Sequence, residues 1–448
     1  MIPKYTRPDP PVPPAWPEAT AAAGSAAADL DWREFFTDAR LQSVIESALA
    51  GNRELRIAAL NVEKVEALYR IQRTELYPVV GAQALAERYE FPADFGDNGG
   101  SSAIEQYSLN VGTVGWELDL FGRIRSLKAA ALEQYLATEQ GSVAARLALI
   151  AGTARAWLAL AADLESLQLA RETLTAQQSS LELIRSSADV GLTSDLDVHQ
   201  AQSLVETARA DVALFTGRAA VDRHLVDVLA GATIADDLLP DGLAEVTVGD
   251  ALAAGLPSEV LLRRPDILAA EHQLKAMNAN IGAARAAFFP RISLTAGVGT
   301  MSSELSGLFA AGSGTWNFAA QMLAPIFAGG ALKANLDVAE VDREIAVARY
   351  EKAIQVAFSE VSDSLALRTT FVEQRDAQEA LVRALEETYR LADARYQEGI
   401  DGYLAVLIAE RSLLLSRHAL VAVRLAEQAN LVTLYEVLGG GGGGVGGP

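Results

Sequence analysis

Cysteine is absent from the 448-residue sequence, which excludes disulfide frameworks, thiolate metal sites and cysteine nucleophiles. Histidine is scarce. His199, His224, His272 and His418 are scattered, without HxH or HExxH spacing, so no zinc enzyme is expected. No GxSxG, no P-loop and no GxGxxG after a strand occurs, so neither catalysis nor a cofactor is expected. Basic residues are the minority, 37 against 58 acidic, for a net charge of −21. They form no cluster, which excludes a nucleic-acid partner. No unbroken run of about 18 apolar residues appears, and no transmembrane helix is expected. Membrane-spanning strands stay allowed, because their signal is alternation. Nor does Met1 open a signal peptide, for Ile2-Pro3-Lys4-Tyr5 leads into a proline-rich stretch through Pro17.

What is present is apolar and aliphatic. Half the residues are hydrophobic, aromatics make up only 6%, and alanine abounds, a composition suited to long, closely packed helices.

The chain also repeats itself. Gly191-Leu-Thr-Ser-Asp-Leu196-Asp-Val198 recurs as Gly399-Ile-Asp-Gly-Tyr-Leu404-Ala-Val406, at an offset of 208. Tyr77-Pro78 returns as Phe289-Pro290, Arg73 as Arg285 and Ala58 as Ala270, all at 212. Phe121 of DLFG returns as Phe327 of PIFAGG. The sequence therefore reads as an extended segment 1–30, a first unit 31–250, a second unit 251–438 and a glycine-rich tail 439–448.

Each unit has one grammar: a helix (52–75, 265–287), two strand-like segments (78–90 and 106–121; 290–300 and 315–327), a long helix (123–190, 331–398) and a shorter return helix (193–229, 402–437). The long helices contain no proline and stop before Gly191 and Gly399, where a glycine cap is expected. Leu136, Val143, Ile150, Trp157 and Leu164 are seven apart, as are Leu160, Leu167, Leu174 and Leu181. Val347, Ile354 and Val361, then Phe358, Leu365 and Val372, repeat that period, the mark of coiled-coil packing. Helix 193–229 stacked end to end on 52–75 would nearly match its long partner in length.

The strand-like segments alternate. Ile292, Leu294, Ala296 and Val298 lie opposite Arg291, Ser293 and Thr295; Trp316, Phe318, Ala320 and Met322 lie opposite Thr315, Asn317 and Gln321. In 106–121 the phase changes, which predicts a bulge near Gly112 or Gly115. Pattern alone leaves open a soluble sheet with one wet face. A sheet in lipid would instead have to close its two edges by assembly, and three copies would supply twelve strands.

Trp32-Arg-Glu-Phe-Phe-Thr-Asp38 with Leu41 resembles the opening of the TolC-like outer-membrane efflux family, as does Trp116-Glu-Leu-Asp-Leu-Phe-Gly-Arg123. Leu262-Arg-Arg-Pro-Asp-Ile267, Asn280-Ile-Gly-Ala-Ala-Arg-Ala-Ala-Phe-Phe-Pro290, Tyr350-Glu-Lys-Ala-Ile-Gln-Val-Ala-Phe358 and Glu360-Val361 resemble its OprM-type branch. The likeness spans residues 2–440. It implies an α+β fold with long helical hairpins forming an α-barrel, and a four-stranded sheet contributed to a trimeric twelve-stranded β-barrel. It further implies a passive homotrimer in outer-membrane lipid with a periplasmic tunnel. Such a duct meets a periplasmic adaptor and an inner-membrane, proton-driven transporter, and exports drugs or other solutes. A type I protein-secretion channel is the alternative within that class; a soluble coiled-coil scaffold, which would need no detergent, is the alternative outside it.

Members of the branch usually carry a signal peptide and a lipidated cysteine before the Ile-Pro-x-Tyr element, so Met1 is expected to be internal to a longer product. The branch also often places aspartates after the second hairpin turn, where Ala405 and Ile408 stand here. Candidates for the periplasmic aperture are therefore Asp195, Asp197, Asp401, Leu404, Ala405 and Ile408. Gly191, Leu192, Gly399 and Ile400 are candidates for the hairpin tips that touch the adaptor. Asp195 and Asp197 read first as helix caps, which does not exclude facing the pore. Leu404 and Ile408 read more readily as coiled-coil packing than as an apolar constriction, and His199 and His418 as surface or packed residues rather than pH sensors. Arg395 and Tyr396 either fix the second turn or bridge protomers.

Overall fold

The computed structural model describes residues 1–16, 30–91, 102–243 and 258–440. The expected boundary at 250/251, part of the N-terminal segment and most of the glycine-rich tail lie outside these residues. The helices are α1 (Trp32–Phe35), α2 (Ala39–Gly51), α3 (Arg53–Thr74), α4 (Arg123–Asp189), α5 (Asp195–Ala230), α6 (Pro265–Ala286), α7 (Ala331–Gln397) and α8 (Tyr403–Val437). The strands are β1 (Gly81–Phe91), β2 (Ser102–Leu118), β3 (Arg291–Ser302) and β4 (Gly314–Leu323). Helix ends fall within one or two residues of the sequence reading. The second and fourth strands stop earlier than expected, at Leu118 and Leu323: Asp119 turns to cap the helix that follows, and Pro325 has no N–H to continue a ladder.

Contacts divide the chain into two compact units. The first comprises residues 1–9, 61–139 and 269–350 and holds the sheet; the second comprises 10–60, 140–268 and 351–448 and is helical.

In the second unit the heptad positions Ile150, Trp157, Leu160, Leu167, Leu181, Ile354, Val361 and Leu365 are buried, as the period requires. Val372 is exposed. The expected end-to-end stacking is visible: the Asn52 amide donates to the Leu229 carbonyl at 2.9 Å, and the Asn52 Oδ1 accepts from the Leu55 N–H at 2.9 Å, capping α3. An 18-residue window of α4 has a mean hydropathy of 1.4 and, by length and composition, could cross a membrane. Single charges interrupt its apolar residues, so no unbroken run shows in the sequence; 56% of the window is buried inside the protein.

Candidate functional site: the sheet and the hairpin turns

The sheet runs β1-β2-β3-β4, antiparallel throughout, with β1 and β4 at its edges. Directly opposed residues share a face, so the register sorts the side chains. Val111, Val298 and Trp316 form one cross-strand row; Trp116, Leu294 and Ala320 form another; Leu118, Ile292 and Met322 a third. These rows make an apolar face, and Trp316 is 76% exposed on it. The opposite face carries Gln83, Asn110, Thr315 and Asn317. The polar positions of β1 and β2 follow from the same alternation but had no place among the sequence candidates.

The expected bulge is present. Thr113 pairs with Ala296 and Trp116 with Leu294, so Val114 and Gly115 together oppose Thr295. Gly115 has a φ of 67°, and its N–H donates to Thr295 Oγ1 at 3.0 Å. Gly112 stays in the ladder for another reason: a Cβ there would meet the Ala296 carbonyl oxygen at 2.1 Å.

The WELDLFGR element is the turn from sheet to α4. The Arg123 guanidinium donates to both oxygens of Glu117, at 2.9 and 2.7 Å. Asp119 caps the helix, accepting from the N–H groups of Ile124 and Arg125 at 3.1 and 2.9 Å. Phe121 stacks on Phe289, with ring centroids 4.8 Å apart. On α6, Glu271 is buried and ties down the start of the chain: it accepts from Tyr5 Oη and Arg7 Nε, each at 3.1 Å, and from Arg7 Nη2 at 2.5 Å. Lys275 stands 3.2 Å away. Sequence pattern gave no sign of this cluster, since its members are remote in the chain.

Both hairpin turns close alike. Gly191 (φ 78°) and Gly399 (φ 70°) adopt the left-handed conformation. Each N–H returns to a carbonyl three residues back, Ala188 or Tyr396, and the next N–H returns to Ser187 or Arg395. This is the Schellman closure. Leu192 and Ile400 are exposed beside the glycines. Asp195 is exposed in the first turn of α5, and Asp197 forms a capping box with Ser194. Arg395 bridges its own turn, donating to Asp401 at 2.5 and 3.1 Å. That hydrogen bond and the guanidinium charge hold the Asp401 carboxyl below the usual range.

Leu404, Ala405 and Ile408 are exposed on α8, while Tyr403, Val406 and Leu407 face inward. These three join Leu181, Ile184, Ala201 and Val205 in one core that links the two hairpins. The structure thus separates Leu404 and Ile408 from the packed face, and it uses Asp197 and Asp401 locally. His418 stacks on Phe215 at 4.9 Å; His272 Nδ1 lies 2.6 Å from Glu133. Among the described residues, no group of three or more His, Asp or Glu could hold a metal ion.

The toluene efflux pump outer membrane protein TtgC of Pseudomonas putida is 47% identical over 98% of this chain and 92% of that protein. A crystal structure of a membrane protein from Pseudomonas aeruginosa, 41% identical, superposes with a TM-score of 0.93 over 98% of this chain and 97% of the other. The open-state MtrE outer membrane channel of Neisseria gonorrhoeae, 39% identical, gives 0.91 over 99% and 98%. The outer membrane efflux protein model matches residues 44–232 and 256–440. The chain belongs to the outer membrane efflux protein family.

Proposed function

We propose that this chain is the passive exit duct of a tripartite efflux pump, embedded in the outer membrane with a tunnel into the periplasm. One observation carries the reading: a four-stranded sheet whose exposed face is apolar, whose other face is polar, and whose edges at β1 and β4 are unpaired among the described residues. Bare edges cannot remain in hydrocarbon, so the sheet closes by joining copies of itself. Three copies give twelve strands, an even number in the range of outer-membrane barrels. The apolar face then meets lipid and the polar face lines the lumen. The chain does no chemistry; a periplasmic adaptor and an inner-membrane transporter supply substrate and energy.

In this reading the repeat units are 31–250 and 251–438. The turns at Gly191-Leu192 and Gly399-Ile400 form the periplasmic tip and meet the adaptor. Leu404 and Ile408, with Ala405 between them, narrow the aperture by apolar contact around the threefold axis. Asp195 supplies charge nearby, with Asp197 and Asp401 partly occupied by their own turns. Native mass spectrometry of the detergent-solubilised protein tests the assembly. A trimer mass is expected, and a dominant monomer with full helical content would overturn it.

A further inference from the structure

The polar face of the sheet holds a recess of about 540 Å³ around Gly297, lined on that face by Met301 and by the polar side chains of Gln83, Asn110, Thr295, Thr315 and Asn317. None of these side chains carries a charge. Gly297 and Asn317 are direct partners across β3 and β4. The Asn317 side chain occupies the space that a larger residue at 297 would need: a Cβ built on Gly297 would lie 2.8 Å from Asn317 Oδ1. Its next neighbour, the Val111 carbonyl oxygen, would be 3.4 Å away, which is ordinary contact. Gly297 has no positive φ. Backbone strain therefore does not demand glycine here, and the missing side chain has another consequence: it lets the amide fold down against the sheet.

We infer that Gly297 sets the width of the barrel lumen by giving Asn317 room to lie against the wall, and so determines which solutes pass this level. This rests on the channel reading above, in which the polar face is the lumen. A methyl group at 297 meets the end of a flexible side chain and pushes the amide off the sheet, toward the lumen. In a trimer the displacement occurs three times at one level. Because the recess is uncharged, the selection acts on size and hydrogen bonding, and cations and anions are treated alike.

The test uses the full-length protein in planar bilayers, with neutral polyethylene glycols of graded size added on the barrel side, where they report on the lumen and not on the periplasmic aperture. Gly297→Ala should shift the exclusion limit to a smaller polymer, and Gly297→Ala combined with Asn317→Ala should restore it. A Gly297→Ala pore with the original limit overturns the inference, as does a double variant that stays narrow. If Gly297→Ala forms no pores, Asn317→Ala alone decides: its limit should move to a larger polymer, and an unchanged limit overturns the inference. A wild-type protein that forms no pores overturns the channel reading instead.

Discussion

Asn52 and Arg264 stand 212 residues apart and do the same work in the two halves of the chain. Each donates to a main-chain carbonyl at the end of a return helix: Asn52 to Leu229 at 2.9 Å, Arg264 to Val437 at 2.7 Å. The two acceptors are 208 apart. Each also marks the start of the helix that continues the stack, α3 or α6. Arg264 does more than its counterpart. Its guanidinium reaches Asp266 at 3.0 and 2.8 Å and Glu360 at 2.9 Å while almost fully withdrawn from solvent. Removing it strands a carbonyl and leaves Glu360 without its cation. Arg264→Ala loses charge-assisted bonds and should cost about 2 kcal/mol, against about 1 kcal/mol for Asn52→Ala, which loses one bond and a cap. Thermal unfolding in detergent should therefore show the larger drop for Arg264→Ala; the reverse order would refute the account.

Burial works against the charge of Glu271, but the hydrogen bond from Arg7 and the charge and hydrogen bond of Lys275 hold its carboxyl below the ordinary glutamate value. Its contribution is complete above that ordinary value and is lost as pH falls through the lowered one. Hydrogen exchange across residues 1–9 should accelerate only in that acidic window. Glu271→Gln should show fast exchange already at neutral pH. Slow exchange in that variant would mean that the other contacts of the segment suffice.

His418 behaves in the opposite sense. Burial lowers its pKa, opposed by the negative charge of Asp211, and neither ring nitrogen has a hydrogen-bond partner among the described residues. The folded protein thus binds the proton less readily than the unfolded chain. Stability should fall as pH drops below the ordinary histidine value, down to the lowered one. His418→Phe keeps the stack on Phe215 and should abolish that dependence in a thermal-midpoint series between pH 7 and 5. An identical slope in the variant would exclude His418 as its source.

At the proposed aperture, like charges brought around a threefold axis repel, whereas apolar side chains attract regardless of salt. Ile408→Asp should raise conductance or make it cation-selective in planar bilayers, and Ala405→Asp should act in the same direction. If both leave conductance and selectivity unchanged while Asp195→Ala alters them, closure lies on α5 and not on α8.

The repeat was legible because its two offsets, 208 for the return helices and 212 for the entering ones, persist as contacts: the Leu229 and Asn52 joint maps onto Val437 and Arg264. Helix ends were legible because Gly191 and Gly399 can take a positive φ that closes the turn, and the bulge because Gly115 breaks the alternation. Partners remote in sequence were not. Nothing near Glu271 announces Tyr5 and Arg7, and whether Arg395 turns inward to Asp401 or outward to another protomer depends on a side-chain rotamer. The apolar window of α4 does not show as an unbroken run, since averaging and counting runs measure different things. Exposure of Leu404 and Ile408 likewise depends on how helix α8 is rotated, which the residues at its packed face fix only once α4 and α5 are in place.

The unpaired outer strands carry a genetic consequence. If barrel closure requires β4 of one copy to meet β1 of the next, a chain with a spoiled edge damages every assembly it enters. A cell making equal amounts of sound and edge-defective chains would build only roughly one fully sound trimer in eight by random mixing. Edge lesions in β1 or β4 should therefore be dominant over the normal allele, whereas lesions that merely unfold a protomer should be recessive.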